Sequence, residues 1–351
     1  MNISIEQYRN KLRAALLGRF AGCTLGAPVE GWTIDMIEKY GIECGNDYPP
    51  KDYWPSHPEA DTERYIYCTI NDFLRPNLKN VPADDDIGYT ILSLLITEEG
   101  GGKSFSLNDV ANAWLKYLTM AWTAEDVAWK NLKNGIPPEK AAEVDNPYQE
   151  LIGADIRCDG YGYICPCDPA RAAELAKTDA LISHRGNGVY GAMYFAAVIA
   201  IGFECGNIRE SLERGLEYIP ADCELYKGLR WALDIASEVK TPREAHRLVT
   251  ERYPDMHVVH TINNACLTVF ALLMSGNDIG EIISNCVAMA YDCDCTAATA
   301  GSIAGACLGM DALDPKWYEC FNDTAISYFN GPREYSIEDM LNRFEKLAVS
   351  E

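Results

Sequence analysis

The stretch that most constrains this chain is Tyr291-Asp292-Cys293-Asp294-Cys295, which runs into Thr296-Ala297-Ala298-Thr299-Ala300-Gly301 and then Ser302-Ile303-Ala304-Gly305-Ala306. Residues this small let a helix backbone approach its neighbours closely, so this helix belongs deep in the protein. A deep helix that opens on two acids has a problem to solve. An ionised carboxylate buried without a partner is very costly, so buried charges are normally paired or bound to a metal. The plain alternative is capping: Asp292 and Asp294 would satisfy the first N–H groups and complement the positive end of the helix dipole. A second acidic cluster, Asp84-Asp85-Asp86, weighs against capping as the whole explanation.

Helix signals recur along the chain and strand signals are scarce. Ser4-Ile5-Glu6-Gln7 is a capping box that opens a helix to about Ala21. Thr33 starts a short helix to about Tyr40, and residues 41 to 60 read as a long irregular loop. Thr62 to Leu74 reads as helix, stopping before Pro76. Ile87 to Ile96 is apolar on nearly every side, the mark of a buried helix. Residues 145 to 168 form a second irregular stretch. Further helices open at Ser106, Thr123, Asp168-Pro169, Thr241, Thr261, Ile279 and Ser336. No repeat of fixed period and no linker is visible. The expectation is one all-α domain over residues 1–351, a multi-helix bundle with irregular loops.

The chain has 351 residues, 48% of them hydrophobic, enough for a substantial core. Its formal net charge is −22. That disfavours nucleic acid or an anionic membrane as partner, since both need positive patches, and it suits a protein that binds cations. No N-terminal apolar region marks a secretion signal, and no later run reads as long and apolar enough to span a bilayer. The 14 cysteines are not the framework of a small secreted domain. Cys165-Pro166-Cys167 has the wrong spacing for a zinc knuckle or redox motif. The expectation is a cytoplasmic protein with reduced thiols.

Four features stand apart from the scaffold: Glu30 after the first helix, Asp84-Asp85-Asp86, Asp292 with Asp294, and His184 at a glycine-rich turn. The two clusters supply five carboxylates, more than capping requires. If the two helix starts meet, one or two hard divalent cations relieve the repulsion. Isoprenoid synthases also pair acidic motifs with magnesium on an all-α bundle. They space their acids by three or four residues to grip a diphosphate with basic help, and neither cluster here is closely followed by Lys or Arg.

Gly18-Arg19-Phe20-Ala21-Gly22-Cys23-Thr24-Leu25-Gly26-Ala27-Pro28-Val29-Glu30 resembles the N-terminal signature of the ADP-ribosylglycohydrolase family. Asp84-Asp85-Asp86-Ile87-Gly88-Tyr89-Thr90 resembles that family's Thr-Asp-Asp-Thr motif, and the stretch from Asp292 to Gly301 its Gly-Asp-Thr-Asp-Thr motif. The resemblance implies an orthogonal all-α bundle holding two magnesium (or manganese) ions. Asp84, Asp85 and Asp86 would form one half of the metal site, and Asp292, Asp294 and Cys295 the other. Glu30 maps to the acidic residue beside the ribose. The departures are specific. Cys295 replaces a threonine ligand, and a thiol is a soft donor for magnesium. Asp84 replaces a threonine and Cys23 an acid. Ile152-Gly153-Ala154-Asp155-Ile156-Arg157 lacks a clear glycine-rich phosphate loop and keeps only Arg157 of the pattern's end.

The expected reaction is metal-assisted hydrolysis at the anomeric carbon of a ribosyl group, with Glu30 or Asp85 as proton acceptor and carboxylates stabilising the oxocarbenium charge. His184 is a candidate for a hydrogen bond to substrate. Trp32, Tyr161 and Tyr163 are candidates to stack on a leaving group, and Arg157 to pair with a phosphate or with Asp155. Three functions fit: release of ADP-ribose from a protein or small molecule, hydrolysis of a smaller riboside such as a nucleoside, and a non-enzymatic protein that keeps the fold.

Overall fold

The computed structural model describes residues 3–350; Met1, Asn2 and Glu351 lie outside the described residues. Ser4 opens α1 (Ile5–Gly26) through a reciprocal capping box: its hydroxyl accepts from the Gln7 N–H at 3.2 Å, and Gln7 Oε1 accepts from the Ser4 N–H at 3.2 Å. The helix runs on to Gly26 rather than Ala21, because its later glycines meet another backbone and do not end it. Thr33 caps α2 (Ile34–Cys44). A hairpin of β1 (Glu63–Tyr65) and β2 (Cys68–Thr69) follows, then α3 (Asp85–Glu99), α4 (Leu107–Tyr117), α5 (Thr123–Lys133) and α6 (Pro138–Ala141). The middle of the chain carries α7 (Asp159–Ile164), α8 (Pro169–Ala180), α9 (Asn187–Cys205), α10 (Ile208–Gly215), α11 (Glu224–Ile235) and α12 (Pro242–Arg252). Then come α13 (Thr261–Met274), α14 (Ile279–Ala288), α15 (Cys293–Leu308), a hairpin of β3 (Thr324–Ile326) and β4 (Glu334–Ser336), and α16 (Ile337–Val349). The all-α class holds: strands among the described residues form only these two short hairpins.

Three expectations need correction. Residues 62–74 are not a helix but the β1–β2 hairpin and a 3-10 turn. Tyr65, Ile66, Tyr67, Cys68, Thr69 and Ile70 are β-branched or aromatic but for one cysteine, a composition that fits a pleated strand better than a helix. Tyr67 makes the turn at φ +74°. Second, the stretch 145–168 contains α7 and a 3-10 segment, Ile152–Arg157. Third, α9 is long and apolar enough, by length and composition, to cross a membrane; 78% of its most apolar window is buried in the bundle.

The centre of the bundle is α15, buried from Cys293 to Cys307 and packed against α1, α9, α13 and α14. It lies antiparallel to α1 at a separation only glycine permits. A Cβ on Gly22 would stand 2.2 Å from the Ala297 carbonyl oxygen, and one on Gly301 would stand 2.2 Å from that of Gly18. Both obstacles are backbone atoms, so no side-chain movement relieves them. The expectation that small residues mark close packing is met here. Near α3, the chain is pinned from outside: the Val81 N–H donates to the Thr324 carbonyl at 2.8 Å, and the Ile326 N–H donates to the Val81 carbonyl at 2.9 Å. These bonds hold the approach to Asp84 against the β3–β4 hairpin. No disulfide forms among the described cysteines.

Candidate active site

Four segments deliver charged groups to one place: the end of α1 with Glu30, strand β1 with Arg64, the start of α3 and the start of α15. The entry to α15 is strained. Ala290 and Tyr291 are both left-handed, at φ +60° and +61°, which costs on the order of 1–3 kcal/mol for each non-glycine residue. This turn swings Asp292 into the α15 N-cap position without letting it cap; its side chain makes no capping hydrogen bond. The capping explanation therefore fails for Asp292. It holds for Asp84, whose carboxylate accepts from the Asp86 N–H at 3.2 Å. The Tyr291 carbonyl accepts from the Gly31 N–H at 3.3 Å, tying the Glu30 segment to the α15 turn.

Two guanidiniums, one fully buried and one partly buried, thread the acids. Arg64 reaches three carboxylates from three segments: Glu30 Oε2 at 2.8 Å, Asp84 Oδ2 at 2.9 Å and Asp294 Oδ2. Arg19, fully buried, donates to Asp86 Oδ1 at 2.9 Å, Asp159 Oδ2 at 3.0 Å and Thr90 Oγ1 at 2.6 Å. These pairs leave charge over. Asp86 Oδ2, Asp292 Oδ1 and Asp294 Oδ1 are buried with no hydrogen-bond partner, and unpartnered buried oxygens of this kind are rare in folded proteins. Ligand atoms from Asp86, Asp294 and Cys295 lie within 4.8 Å of one another, as do those of Glu30, Asp292 and Asp294, and those of Cys23, Asp84 and Asp86. The donors fit a cation.

Protonation follows from the same crowding. Burial, opposed by Arg19, raises Asp86 to about 8. Burial, aided by the charge of Glu30, raises Asp292 to about 7. Burial and then Asp84 push Asp85 well above the usual carboxylate range. The Cys295 thiol is pushed up by burial and next by Asp292.

A cleft of about 210 Å³ opens onto this group. Glu30, Arg64, Asp85, Asp292, Asp294 and Cys295 line its acidic side, and Trp122, which is 50% exposed, stands on its rim with Tyr65 behind. Asp84 and Asp86 lie beneath the lining, fully buried.

The other residues singled out from sequence lie elsewhere. Arg157 is buried in a salt-bridge network, with Asp179 and with Glu125 at 2.7 Å, so it is spoken for by carboxylates and pairs with neither Asp155 nor the cleft. His184 is fully buried and shares a 2.8 Å hydrogen bond with Ser183 Oγ; burial and then Arg157 push it well below its ordinary value, so it is neutral. Tyr163 is a core residue, its hydroxyl 2.7 Å from Ser302 Oγ, and Tyr161 is buried beside Phe105. Trp32 packs on Tyr40 and His57 at 5.4 and 5.1 Å and does not line the cleft. The structure places Arg157, His184, Tyr163 and Trp32 outside the lining of the cleft. Reading the sequence missed Arg64 because it sits in the stretch read as helix. It missed Trp122 and Glu125 because nothing local sets them apart from other aromatic and acidic residues. Arg19 stood inside the quoted signature without a role.

A sequence model of the ADP-ribosylglycohydrolase family matches residues 4–348. No curated protein sequence matches the chain. Among solved structures, the chain is similar to an ADP-ribosylglycohydrolase-related protein complex at TM-score 0.63 and 17% identity, over 98% of both chains. At that identity the likeness carries the fold. The family match spans the whole bundle and all three motifs, and the chain belongs to the ADP-ribosylglycohydrolase family.

Proposed function

We propose that the chain is a metal-dependent glycoside hydrolase acting at the anomeric carbon of a ribosyl group. The observation that carries this reading is the set of unpartnered carboxylate oxygens on Asp86, Asp292 and Asp294 beside the cleft. Asp86, Asp292 and Asp294 would hold a hard cation, magnesium or manganese, which takes oxygen donors. Cys295 stands close to Asp86 and Asp294, a soft donor that such an ion favours less than oxygen. When bound, such an ion acidifies water and gathers vicinal hydroxyl oxygens. Asp85 is the better proton acceptor of the two sequence candidates. It lines the cleft and no salt bridge holds it, whereas Glu30 is tied to Arg64 at 2.8 Å. Burial and then the charge of Asp84 raise the Asp85 pKa well above the usual carboxylate range, and a cation bound beside it would favour the ionised, proton-accepting form. The remaining carboxylates face the oxocarbenium charge that develops on the sugar.

A second reading concerns the size of the substrate. ADP-ribose needs a place for its diphosphate. Among the described residues the cleft lining has no free cation: Arg64 already faces three carboxylates and Arg157 lies outside the lining in its own network. A volume of about 210 Å³ is also below the ~300–1,000 Å³ of common ligand sites. These two facts favour a smaller riboside over an ADP-ribosyl substrate, with Trp122 stacking on the leaving group.

The test is turnover of a substrate panel with magnesium or manganese present: ADP-ribosylated arginine, ADP-ribosylated serine and plain nucleosides. Turnover of plain ribosides alone supports the smaller substrate. Asp294→Asn should lower kcat by more than about a hundredfold, since even partners of metal ligands are worth 10–100-fold, with the far-ultraviolet helical signal unchanged. No turnover of any ribosyl compound with either ion overturns the proposal.

A further inference from the structure

The family resemblance led to an expectation of two divalent ions, yet the acids here are already shared with a side chain. Arg64 is placed as a built-in cation. Its three carboxylate partners come from the α1 end, the α3 start and the α15 start. Its guanidinium also lies against the rings of Tyr65 and Phe73, 5.7 and 5.8 Å from their centroids, and its side chain is only 15% exposed. Held on a hairpin strand between two aromatic faces, this group is not a loose surface arginine.

Its partners divide the possible cation positions. Glu30 and Asp294 belong to one of the three close donor groups, and Asp84 to another. Arg64 occupies oxygens of both. Arg64 takes one oxygen of the Cys23, Asp84 and Asp86 group, Asp84 Oδ2, and one of the Asp86, Asp294 and Cys295 group, Asp294 Oδ2; of these two, the latter reaches the cleft, through Asp294 and Cys295. There Asp86 Oδ2 and Asp294 Oδ1 remain without partners, and Asp292, whose donor groups with those of Asp294 and Glu30, carries a third such oxygen, Oδ1. Asp294 thus serves both sides, one oxygen on the guanidinium and one free. Arg64 and Arg19 pair with five carboxylates, Glu30, Asp84, Asp86, Asp159 and Asp294, and Asp85 and Asp292 line the same cleft paired with neither, so room for positive charge remains.

We propose that Arg64 takes the place of one divalent ion, so that this chain holds a single divalent cation, on Asp86, Asp292 and Asp294, beside a fixed guanidinium. The inference rests on the metal-dependent reading above. A guanidinium delivers positive charge and directional N–H donors but does not acidify water as a metal ion does. The two halves of the site are then unequal: the Asp86 side carries the ion, and the Arg64 side orients the sugar hydroxyls by hydrogen bonds.

The experiment is Mn²⁺ binding to the full chain, by titration calorimetry and native mass spectrometry, for the natural protein, Arg64→Ala and Arg64→Lys. The expected result is one Mn²⁺ per chain in the natural protein and two in Arg64→Ala. Two Mn²⁺ ions in the natural protein would overturn the inference, and so would one in a folded Arg64→Ala with unchanged affinity. If Arg64→Ala does not fold, paramagnetic resonance on the natural protein still decides: an isolated-ion spectrum supports the inference, and a spin-coupled Mn²⁺ pair overturns it. Two ions with ribosidase turnover intact would refute this inference alone. One ion with no turnover of any ribosyl substrate would instead refute the proposed function and leave the stoichiometry standing.

Discussion

Replacing Gly26 by alanine tests whether α1 positions the acids, because it removes no chemical group. A Cβ at residue 26 would lie 2.5 Å from both the Cα and the backbone nitrogen of Asp294, and 2.8 Å from the Cys293 carbonyl carbon. Ordinary contact begins at 3.4 Å, so the start of α15 must retreat by about 0.9 Å. Every obstacle is backbone, so no rotamer change relieves it. Overpacking of this kind costs about 1–3 kcal/mol. Alanine returns about 0.5–1 kcal/mol through its better helix propensity, which leaves a net loss of up to about 2.5 kcal/mol. The functional effect should be larger in proportion. A misplacement of about 1 Å in a catalytic group can cost on the order of a hundredfold in rate. Gly26→Ala should therefore keep its helical circular dichroism, melt a few degrees lower, and lose Mn²⁺ affinity and turnover together. Gly135→Ala is the control, since a Cβ there meets nothing within 4 Å and its φ of +80° adds backbone strain only at the α5–α6 turn. If Gly26→Ala binds Mn²⁺ and turns over like the natural protein, the α1–α15 contact does not position Asp294.

Three further outcomes are expected. Without metal, Asp86 and Asp292 keep protons up to about pH 8 and about pH 7, whereas unfolded aspartates release theirs near pH ~3.9. The folded state therefore binds more protons over that interval; its advantage is complete below about pH 4 and is lost as pH rises through about 7 and 8. With a chelator present, Tm should fall between pH 6 and 9, and saturating Mn²⁺ should oppose the fall because it binds the ionised acids; a Tm rising with pH in chelator would contradict these shifts. Arg157→Met should cost about 3–5 kcal/mol by denaturant unfolding, since it strands Asp179 and Glu125 in the core; a variant of normal stability with a raised KM would return Arg157 to a substrate role. Trp122→Ala should raise KM for substrates with an aromatic leaving group and leave Tm unchanged, and an equal KM would remove Trp122 from the site.

What the sequence disclosed divides by the range of the physics involved. Helix starts were legible because caps are local: Ser4, Thr33, Ser106, Asp168, Thr241 and Ser336 each accept a hydrogen bond from an N–H two or three residues on. The meeting of Asp84–Asp86 with Asp292–Asp294 was legible only as a condition; the acids named the chemistry, and the folded chain supplies the closeness of Asp86 and Asp294. The Arg64 pairings were not, since they join residues 34, 20 and 230 positions apart through a hairpin whose short strands give little periodicity. Arg157 and Tyr163 show the converse error. Both carry polar groups suited to a ligand, and both spend them on Asp179, Glu125 and Ser302, partners no local pattern reveals.

The backbone contact between α1 and α15 also orders events in time. It joins residues 18–26 to residues 294–301, so the chain between them must be closed into one long loop before the contact forms. Closing such loops is entropically uphill, and folds that depend on distant pairings form slowly. The acids of α3 and α15 face one another only after that closure. Any cation they take is therefore a late arrival, able to lock the finished bundle but with nothing to nucleate. Added at the start of refolding, it should leave the early rate unchanged and slow only the reopening of the native protein.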